Sequence, residues 1–161
     1  MVITGATTQN SKVIKAPRED IYRAFTDPDA LAIWLAPGEM TGRLDRFDFK
    51  VGGGYQMSLF YPPSEKESHG KTSDKEDRYT ARFLVLAPNE RIVQSITFDS
   101  EDPAFSGKMI MEVKFDAIET GTRVTILFKN IPSGIQPMDN KTGTRSTLRK
   151  LARFVERDLT E

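Results

Sequence analysis

The sequence predicts a single α+β domain, in which a curved antiparallel sheet is covered by one long C-terminal helix. Two observations predict this class. From residue 40 to residue 129, apolar side chains recur at every second position, and from about 139 to 158 they recur at helical spacing. One-sided alternation is typical of an antiparallel sheet with one covered face, and the C-terminal helix is the segment that can cover it. No repeat or linker divides residues 1–161, so we expect one domain with a core from about 11 to 159.

The first elements predicted are an edge strand over residues 11–16 and two short helices. Pro17 can begin the first helix, because its missing N–H is one that the first turn leaves unpaired. Asp27 is a good N-cap for the second helix, and Pro28 is a good first residue. The apolar sides of the two helices are formed by Ile21, Ala24 and Phe25 and by Leu31, Trp34 and Leu35.

Six strands are predicted between these helices and the C-terminal helix. Turn or bulge signals separate them at Gly52–Gly54, Pro88-Asn89 and Glu119–Gly121. The polar stretch Ser64–Arg78, with five acidic and four basic residues, is predicted to be a loop. It carries the lone His69, which we do not expect to act as a general base, since a loop offers neither a fixed partner nor a dry site. The six strands cover residues 44–49, 55–61, 79–87, 91–98, 109–116 and 122–129.

The last helix is predicted to be capped by Asp139 or Asn140 and to run to about Asp158. Its six basic residues lie mostly off the apolar stripe. A basic amphipathic helix can lie on a membrane surface, but a solvated outer face on a helix that packs on its own sheet is favoured here. The sheet needs the cover, and the polar face has no bulky apolar anchors. The apolar stripe consists of Leu148, Leu151, Ala152, Val155 and Leu159.

Composition excludes several classes of function. Formal net charge is +0 and the pI is about 6.6, so no nucleic-acid partner is expected. The chain has no cysteine, which excludes disulfides, thiolate nucleophiles and Cys-ligated metals. No apolar run approaches the ~18 residues of a membrane helix, and no signal peptide is recognised, so we expect no membrane insertion and a cytoplasmic location. We predict no catalytic residue, metal site or cofactor, because no nucleophile elbow or metal-ligand spacing is present.

The order strand, two short helices, six strands and one long helix is the helix-grip arrangement. Residues 16–28, APREDIYRAFTDP, followed by Leu31 and Trp34, resemble the opening signature of the START-like (SRPBCC) superfamily. The closer resemblance is to its branch named after the activator of Hsp90 ATPase C-terminal domain. The likeness continues through Gly52-Gly53-Gly54, Val85–Val93, Gly121–Ile126 and Gly143 with Leu148 and Leu151, so that it runs from about Val13 to Val155.

This resemblance implies a Bet v 1-like fold of seven antiparallel strands around the long helix, with a hydrophobic tunnel between them. Members of the superfamily include lipid and hormone binders, aromatic polyketide cyclases, a self-sacrificing antibiotic-resistance protein and a eukaryotic co-chaperone module. Many relatives carry Gly-Trp where this chain has Gly143-Thr144, and threonine there should enlarge or wet that end of the cavity. The co-chaperone's N-terminal domain and opening Asn-x-Asn-Asn-Trp-His-Trp motif are not found here, which argues against a chaperone-stimulating role.

Twelve residues are candidates for a cavity between the sheet and the C-terminal helix, with alternatives for several of them. Trp34 either lines the entrance or pins the second helix in the core. Arg82 is an anchor for a carboxylate or phenolate if its strand face is interior, and is solvent-exposed if Phe83 and Val85 face inward. Lys141 and Thr144 form the mouth unless the helix begins after them. The candidates are Trp34, Tyr55, Met57, Arg82, Phe98, Met109, Met111, Phe128, Lys141, Thr144, Arg145 and Leu148.

The leading functional hypothesis is binding or carriage of a small hydrophobic or amphipathic molecule by a monomer or weak homodimer. One alternative is a cyclase- or hydrolase-like enzyme without metal or cofactor, which Arg82, Tyr55 or Glu112 lying together in the cavity would favour. The other is a protein-interaction module related to Hsp90 ATPase activators. We expect the floor of the cavity to be the Leu148–Leu159 half of the helix, and its mouth to lie near Lys141, Thr144 and Trp34.

Overall fold

The structure, a computed structural model, describes residues 5–62 and 76–159. Within these residues lie seven strands, three α-helices and one short 3-10 helix. The strands are β1 (Ala6–Ile14), β2 (Thr41–Asp45), β3 (Gly54–Phe60), β4 (Glu76–Ala87), β5 (Arg91–Phe98), β6 (Met109–Ile118) and β7 (Gly121–Ile131). The helices are α1 (Arg18–Ala24), α2 (Pro28–Trp34) and α3 (Pro137–Leu159), and the 3-10 helix is Pro103–Phe105.

The strands form one antiparallel sheet in the order β1-β7-β6-β5-β4-β3-β2. Strands β1 and β2 lie at opposite edges of the sheet, and α1 and α2 carry the chain from one edge to the other. Helix α3 lies across the sheet and contacts β1, β7, α1 and α2. The predicted α+β class and helix-grip arrangement are confirmed. No helix in the part of the chain that the structure describes is long and apolar enough to cross a membrane.

Several element boundaries differ from the prediction. Strand β1 begins at Ala6 rather than Ser11, and pairs with β7 along its whole length. Strand β2 ends at Asp45, because Arg46 has a left-handed backbone (φ 56°) that interrupts extended structure. Residues 76–78, predicted as the end of a loop, lie in β4, where Arg78 is opposite Ser58. The rest of the predicted loop up to residue 75, including His69, lies outside the described residues.

One half of the space between sheet and helices is tightly packed. The Trp34 side chain is fully buried, its Nε1 donates to the Ala24 carbonyl oxygen at 3.1 Å, and its ring lies 4.6 Å from that of Phe25. Phe115 lies between the rings of Tyr22 and Phe25 at 5.7 and 5.4 Å. On α3, the buried stripe facing this cluster consists of Leu148, Leu151, Ala152 and Val155.

Hydrogen bonds fasten α3 to the loop that follows α2. The Gly38 N–H donates to Ser146 Oγ at 2.9 Å, and the Thr147 hydroxyl donates to the Leu35 carbonyl oxygen at 3.3 Å. Lys150 Nζ donates to the carbonyl oxygen of Ala36. Burial lowers the pKa of Lys150, and the nearby positive charge of Arg153 lowers it further. These contacts hold the middle of α3 at a fixed height above the sheet.

Candidate ligand-binding cavity

A cavity of about 390 Å³ lies between one end of the sheet and the N-terminal half of α3. Its volume falls within the range of small-molecule sites, which is roughly 300–1,000 Å³. It adjoins the packed half of the molecule, which occupies the other end of the sheet. The sheet supplies Leu59, Asp77, Tyr79, Ile96, Phe98, Met109, Met111, Ile126 and Phe128. Tyr61, Leu35, Pro37, Phe105, Gly134 and Ile135 come from loops and the 3-10 helix, and α3 with the residue before it supplies Gln136, Asp139, Asn140, Gly143, Thr144 and Thr147.

The sheet wall is mainly apolar because strand register places inward-facing residues of neighbouring strands side by side. Across β4, β5, β6 and β7 the opposed pairs are Tyr79 with Phe98, Ile96 with Met109, and Met111 with Phe128. The rings of Tyr79 and Phe98 meet edge to face at 6.0 Å, a favoured aromatic geometry. The methionine side chains add flexible, polarizable surface that can adapt to an occupant.

The helix wall is polar. Thr144 continues the stripe of Leu148 and Leu151 toward the N-terminus of α3, so the same face of the helix changes from leucine to threonine. The Thr144 hydroxyl donates to the Asn140 carbonyl oxygen at 2.8 Å. The amide oxygen of Asn140 accepts a hydrogen bond from the Thr8 hydroxyl. The cavity therefore has an apolar sheet on one side and a row of hydroxyl, amide and carboxylate groups on the other, the carboxylate being that of Asp139.

A carboxylate and a phenol form a polar corner on the sheet side. Asp77 is 1% exposed and shares the inner face of β4 with Tyr79, Ala81 and Phe83. The Tyr61 hydroxyl, just past the end of β3, donates to Asp77 Oδ2 at 3.0 Å. A carboxylate on the inner face of a sheet has a high desolvation cost. Asp77 is therefore a polar exception in a sheet wall that is mainly apolar.

The 3-10 helix closes one side of the cavity over the loop between β7 and α3. The Gly134 N–H donates to the Ala104 carbonyl oxygen at 2.7 Å, and a Cβ at Gly134 would lie 2.8 Å from the Phe105 ring. Glycine is therefore required for this close approach. The ring of Phe105 in turn lies edge to face with Phe98 at 6.2 Å, which joins the rim to the sheet wall.

Two buried tyrosines, Tyr79 in the sheet wall and Tyr55 behind it, stay protonated well above neutral pH. Gln94 Nε2 donates to the Tyr55 hydroxyl oxygen at 2.9 Å. Burial raises the pKa of Tyr55 to about 12, and the hydrogen bonds of its hydroxyl oppose this rise. Burial also raises the pKa of Tyr79 well above its ordinary value, and the neighbouring Tyr55 adds to the effect. Both phenols are neutral at physiological pH and can donate or accept hydrogen bonds, but cannot serve as bases there.

The structure brings five of the twelve sequence candidates together around the cavity and leaves seven elsewhere. Trp34, Tyr55, Met57 and Leu148 are buried in the packed core, so for Trp34 the core alternative describes its position. Arg82 and Arg145 are exposed. Lys141 turns to β1, where its Nζ donates to the Gln9 carbonyl oxygen at 2.9 Å. The five residues that line the cavity are Phe98, Met109, Met111, Phe128 and Thr144.

Two alternatives left open by the sequence are decided by backbone geometry. Helix α3 begins at Pro137, so Lys141 and Thr144 are helical rather than loop residues. The inner face of β4 carries Phe83, so Arg82 points to solvent. Glu112, although buried, is paired with the exposed Arg91 and does not line the cavity. The arrangement of Arg82, Tyr55 and Glu112 that would favour an enzyme is therefore not present in the cavity.

Sequence reasoning missed several cavity residues, and for some a signal was available. Tyr61 follows Tyr55, Met57 and Leu59 at alternate positions, and Thr147 lies one helical turn after Thr144. Asp77 carries no such signal, because it lies within the polar stretch Ser64–Arg78. Within residues 5–62 and 76–159, no group of three or more His, Asp or Glu side chains is arranged to hold a metal ion.

Comparison with known proteins gives one family match and many structural matches. The family model described as activator of Hsp90 ATPase homolog 1-like protein matches residues 15–156. The crystal structure of protein CV1439 from Chromobacterium violaceum is 33% identical, with a TM-score of 0.82 over 93% of this chain and 96% of that one. No curated protein matches the sequence significantly.

More distant solved structures share the fold at lower identity. The AHSA1-like protein from Aeromonas hydrophila is 20% identical, with a TM-score of 0.71 over 97% of each chain. A protein from Arthrobacter aurescens is 16% identical, with a TM-score of 0.76 over 97% of this chain and 91% of that one. At these identities the likeness extends to the fold alone.

Proposed function

Because the chain belongs to the family of activator of Hsp90 ATPase homolog 1-like proteins, we propose that it binds or carries a small amphipathic molecule in the cavity beneath α3. The single observation that carries the proposal is the contrast between the two halves of the molecule. Around Trp34 and Leu151 the space is filled, whereas between Thr144 and the sheet about 390 Å³ stays open. Protein interiors are normally close-packed, so a cavity of this size with a polar wall supports a binding role.

The methionines allow a direct test, because some line the cavity and others do not. Met109 and Met111 lie on its wall, whereas Met57 is fully buried elsewhere and Met138 is exposed. In a sample labelled with ¹³C at the methionine methyl groups, 2-methylnaphthalene should shift the Met109 and Met111 signals in NMR spectra. The Met138 signal should stay in place, which serves as an internal control.

A cavity-filling variant sharpens this test. Thr144→Trp places on α3 the indole that many relatives carry, and we expect at least a tenfold loss of probe affinity because the ring occupies the open space. Thr142→Trp is the matched control, since Thr142 is exposed on the same helix and should leave binding unchanged. Failure of every apolar probe to shift Met109 and Met111 would contradict the proposal, as would equal binding by both variants.

The two alternative functions have distinct tests. A cyclase- or hydrolase-like activity would be favoured by Arg82, Tyr55 and Glu112 lying together in the cavity. It lacks this support, because Arg82 is exposed and none of the three lines the cavity. A role as a protein-interaction module rests on the family relationship, and an ATPase assay with an Hsp90-type protein tests it. We expect no stimulation in that assay, a monomer or weak homodimer in solution, and a cytoplasmic location.

A further inference from the structure

We propose that the outer face of the sheet, which is turned away from the helices, docks an amphipathic helix of a protein partner whose apolar side is bordered by glutamate or aspartate. This inference goes beyond the proposed function, because the surface lies on the opposite side of the sheet from the cavity. The observation that carries it is a row of apolar side chains that lies between cations without carboxylate partners.

The apolar row crosses four neighbouring strands on the outer face. In register, Val85 of β4 lies beside Val93 of β5, and Glu112 of β6 lies between Val93 and Leu127 of β7. These residues alternate along their strands with side chains of the core cluster, so they point away from the helices. Leu84, at the bulge next to Val85, is 42% exposed. The free face of an antiparallel sheet is normally polar, and apolar surface rimmed by polar residues is typical of an interaction site.

Cations border this row on both sides. On one side, Arg82 of β4 and Lys129 of β7 lie at the two ends of the next row, and on the other side Arg91 of β5 lies opposite Lys114 of β6. Arg91 is paired with the Glu112 carboxylate, so these two charges compensate each other. The described residues form no ion pair with Arg82, Lys114 or Lys129. Four cations and one carboxylate leave an excess of three positive charges, in a chain of formal net charge +0.

Charges around these rows do not cancel the excess. Asp116 lies opposite Arg123 in the row beyond Lys114, so this pair adds no net charge. Glu90, in the turn between β4 and β5, is a single exposed carboxylate at the edge of the surface. Even with Glu90 included, the surface keeps a positive excess, so its electrostatic complement is acidic.

The spacing of the rows matches an α-helix that lies across the strands. Residues on one face of an antiparallel strand repeat every ~7 Å, so the two bordering rows are about 14 Å apart. A helix with its side chains is roughly 10–12 Å across, so its two flanks would reach the cations on either side. The apolar row spans three strand spacings, roughly 14 Å, which is the length of about ten helical residues. Docking of an apolar helix face in this way is a common mode of peptide recognition.

Other macromolecules fit this surface less well. A bilayer is bound by bulky apolar side chains that insert into it, whereas Val93, in the middle of the row, is only 8% exposed. Nucleic acid is disfavoured because the row holds the Glu112 carboxylate and no aromatic side chain on which a base could stack. Two copies of this face would repel each other, because both carry the same excess charge.

Two synthetic peptides test the inference on the unmodified protein. One is about five helical turns long, with leucines at i, i+3, i+4 and i+7 spacing and glutamates on both sides of them, and the other has lysine in place of each glutamate. In NMR spectra of protein labelled with ¹³C at valine, leucine and methionine methyl groups, the glutamate peptide should shift Val93 and Leu127 and leave Met109 and Met111 in place. It should bind at least tenfold more tightly than the lysine peptide. Equal affinity for both peptides, or no shift of Val93 and Leu127, would overturn the inference.

Two double variants with the same change in charge assign the binding to this face. Arg82→Glu with Lys129→Glu should weaken binding of the glutamate peptide at least tenfold, because attraction becomes repulsion. Arg145→Glu with Arg149→Glu is the matched control, since both arginines are exposed on α3, and it should leave the affinity unchanged. Equal losses in the two variants would show a response to net charge alone and would overturn the assignment to the sheet.

A vesicle assay distinguishes a protein partner from a membrane. Vesicles of phosphatidylcholine and phosphatidylserine should not retain the protein in a flotation assay. Retention that Arg82→Glu with Lys129→Glu abolishes would identify a membrane-binding face and overturn the proposed partner. None of these outcomes bears on the cavity, whose binding function is tested separately by the shifts of Met109 and Met111 with 2-methylnaphthalene.

Discussion

Single residues determine which parts of the interior are filled and which are open. Leu148 and Thr144 lie one helical turn apart on the same face of α3 and are 2% and 6% exposed. Leucine fills the space beneath it, whereas threonine leaves space and commits its hydroxyl hydrogen to the Asn140 carbonyl oxygen. A change in one side chain along one stripe therefore marks the boundary between packed core and cavity.

The buried tyrosines predict that the free energy of unfolding decreases at alkaline pH. Tyr55 has a pKa of about 12 in the folded protein and about 10 when unfolded. The folded state therefore holds more protons between these values, so stability from this group is complete below pH 10 and is lost as the pH rises toward 12. Between pH 8 and pH 11.5 the loss should be about 2 kcal/mol, measured as the free energy of unfolding in urea at the two pH values.

The Tyr55→Phe variant separates the contribution of Tyr55 ionisation from that of lysines, which titrate in the same pH range. The difference in free energy of unfolding between wild type and Tyr55→Phe should shrink or reverse between pH 8 and pH 11.5. An identical pH dependence of the two proteins would show that the Tyr55 phenol does not ionise less readily when folded.

At the scale of elements, backbone spacing decides where side chains are tolerated. Strands β3 and β4 approach so closely at Gly54 that an added Cβ would lie 1.9 Å from the Ala81 carbonyl oxygen. In α3, a Cβ at Gly143 would meet Pro37 Cβ at 3.6 Å, an ordinary contact. The two glycines thus have opposite roles, one required by strand pairing and the other placed in a helix interior.

Alanine substitutions at these two glycines should change stability in opposite directions. Gly54→Ala should lower the free energy of unfolding by about 3 kcal/mol, because the strands must separate to relieve the overlap. Gly143→Ala should raise it by about 1 kcal/mol, since alanine is the better helix former. Urea unfolding of both variants at pH 7 measures this, and a Gly54→Ala variant as stable as wild type would contradict the close approach of β3 and β4.

At the scale of the whole molecule, the fold consists of a packed half and an open half that share one sheet and one helix. The packed half holds Trp34, Phe115 and Leu151 around the two short helices. The open half is bounded by strand ends, the start of α3 and the 3-10 helix. On the proposed function, the packed half would hold the sheet and α3 in place while a ligand enters and leaves the open half.

Occupancy of the open half should stabilise the whole molecule. With 2-methylnaphthalene at ten times its Kd, linkage predicts a gain of about 1.4 kcal/mol, which corresponds to a rise in Tm of roughly 3–6 °C for a domain of this size. Thr144→Trp, with at least tenfold weaker binding, should gain at most about 0.4 kcal/mol, whereas Thr142→Trp should behave as wild type. A rise in Tm of equal size in Thr144→Trp would place the probe outside the cavity, and differential scanning calorimetry measures all three.

Much of the fold could be predicted from local patterns, because the period of apolar residues is a property of neighbouring positions. The alternation of Met109, Met111, Val113 and Phe115 predicted β6, and Asp27-Pro28 predicted the start of α2. Errors arose where local composition was misleading. Arg78 belongs to a strand despite its polar neighbours, and Arg46 ends β2 through a backbone angle that the sequence does not signal.

By itself the sequence determined the class of the fold, the stripe of α3 that faces the sheet, and the place on that stripe where leucine gives way to threonine. Only the tertiary structure decided that Trp34 belongs to the core, that Arg82 points to solvent, and that Asp77 and Tyr61 meet at one corner. The physical reason is the distance along the chain over which each property is determined. Periodicity depends on residues within a few positions of one another, whereas the cavity is the space left over when distant elements pack, and its volume depends on every side chain around it.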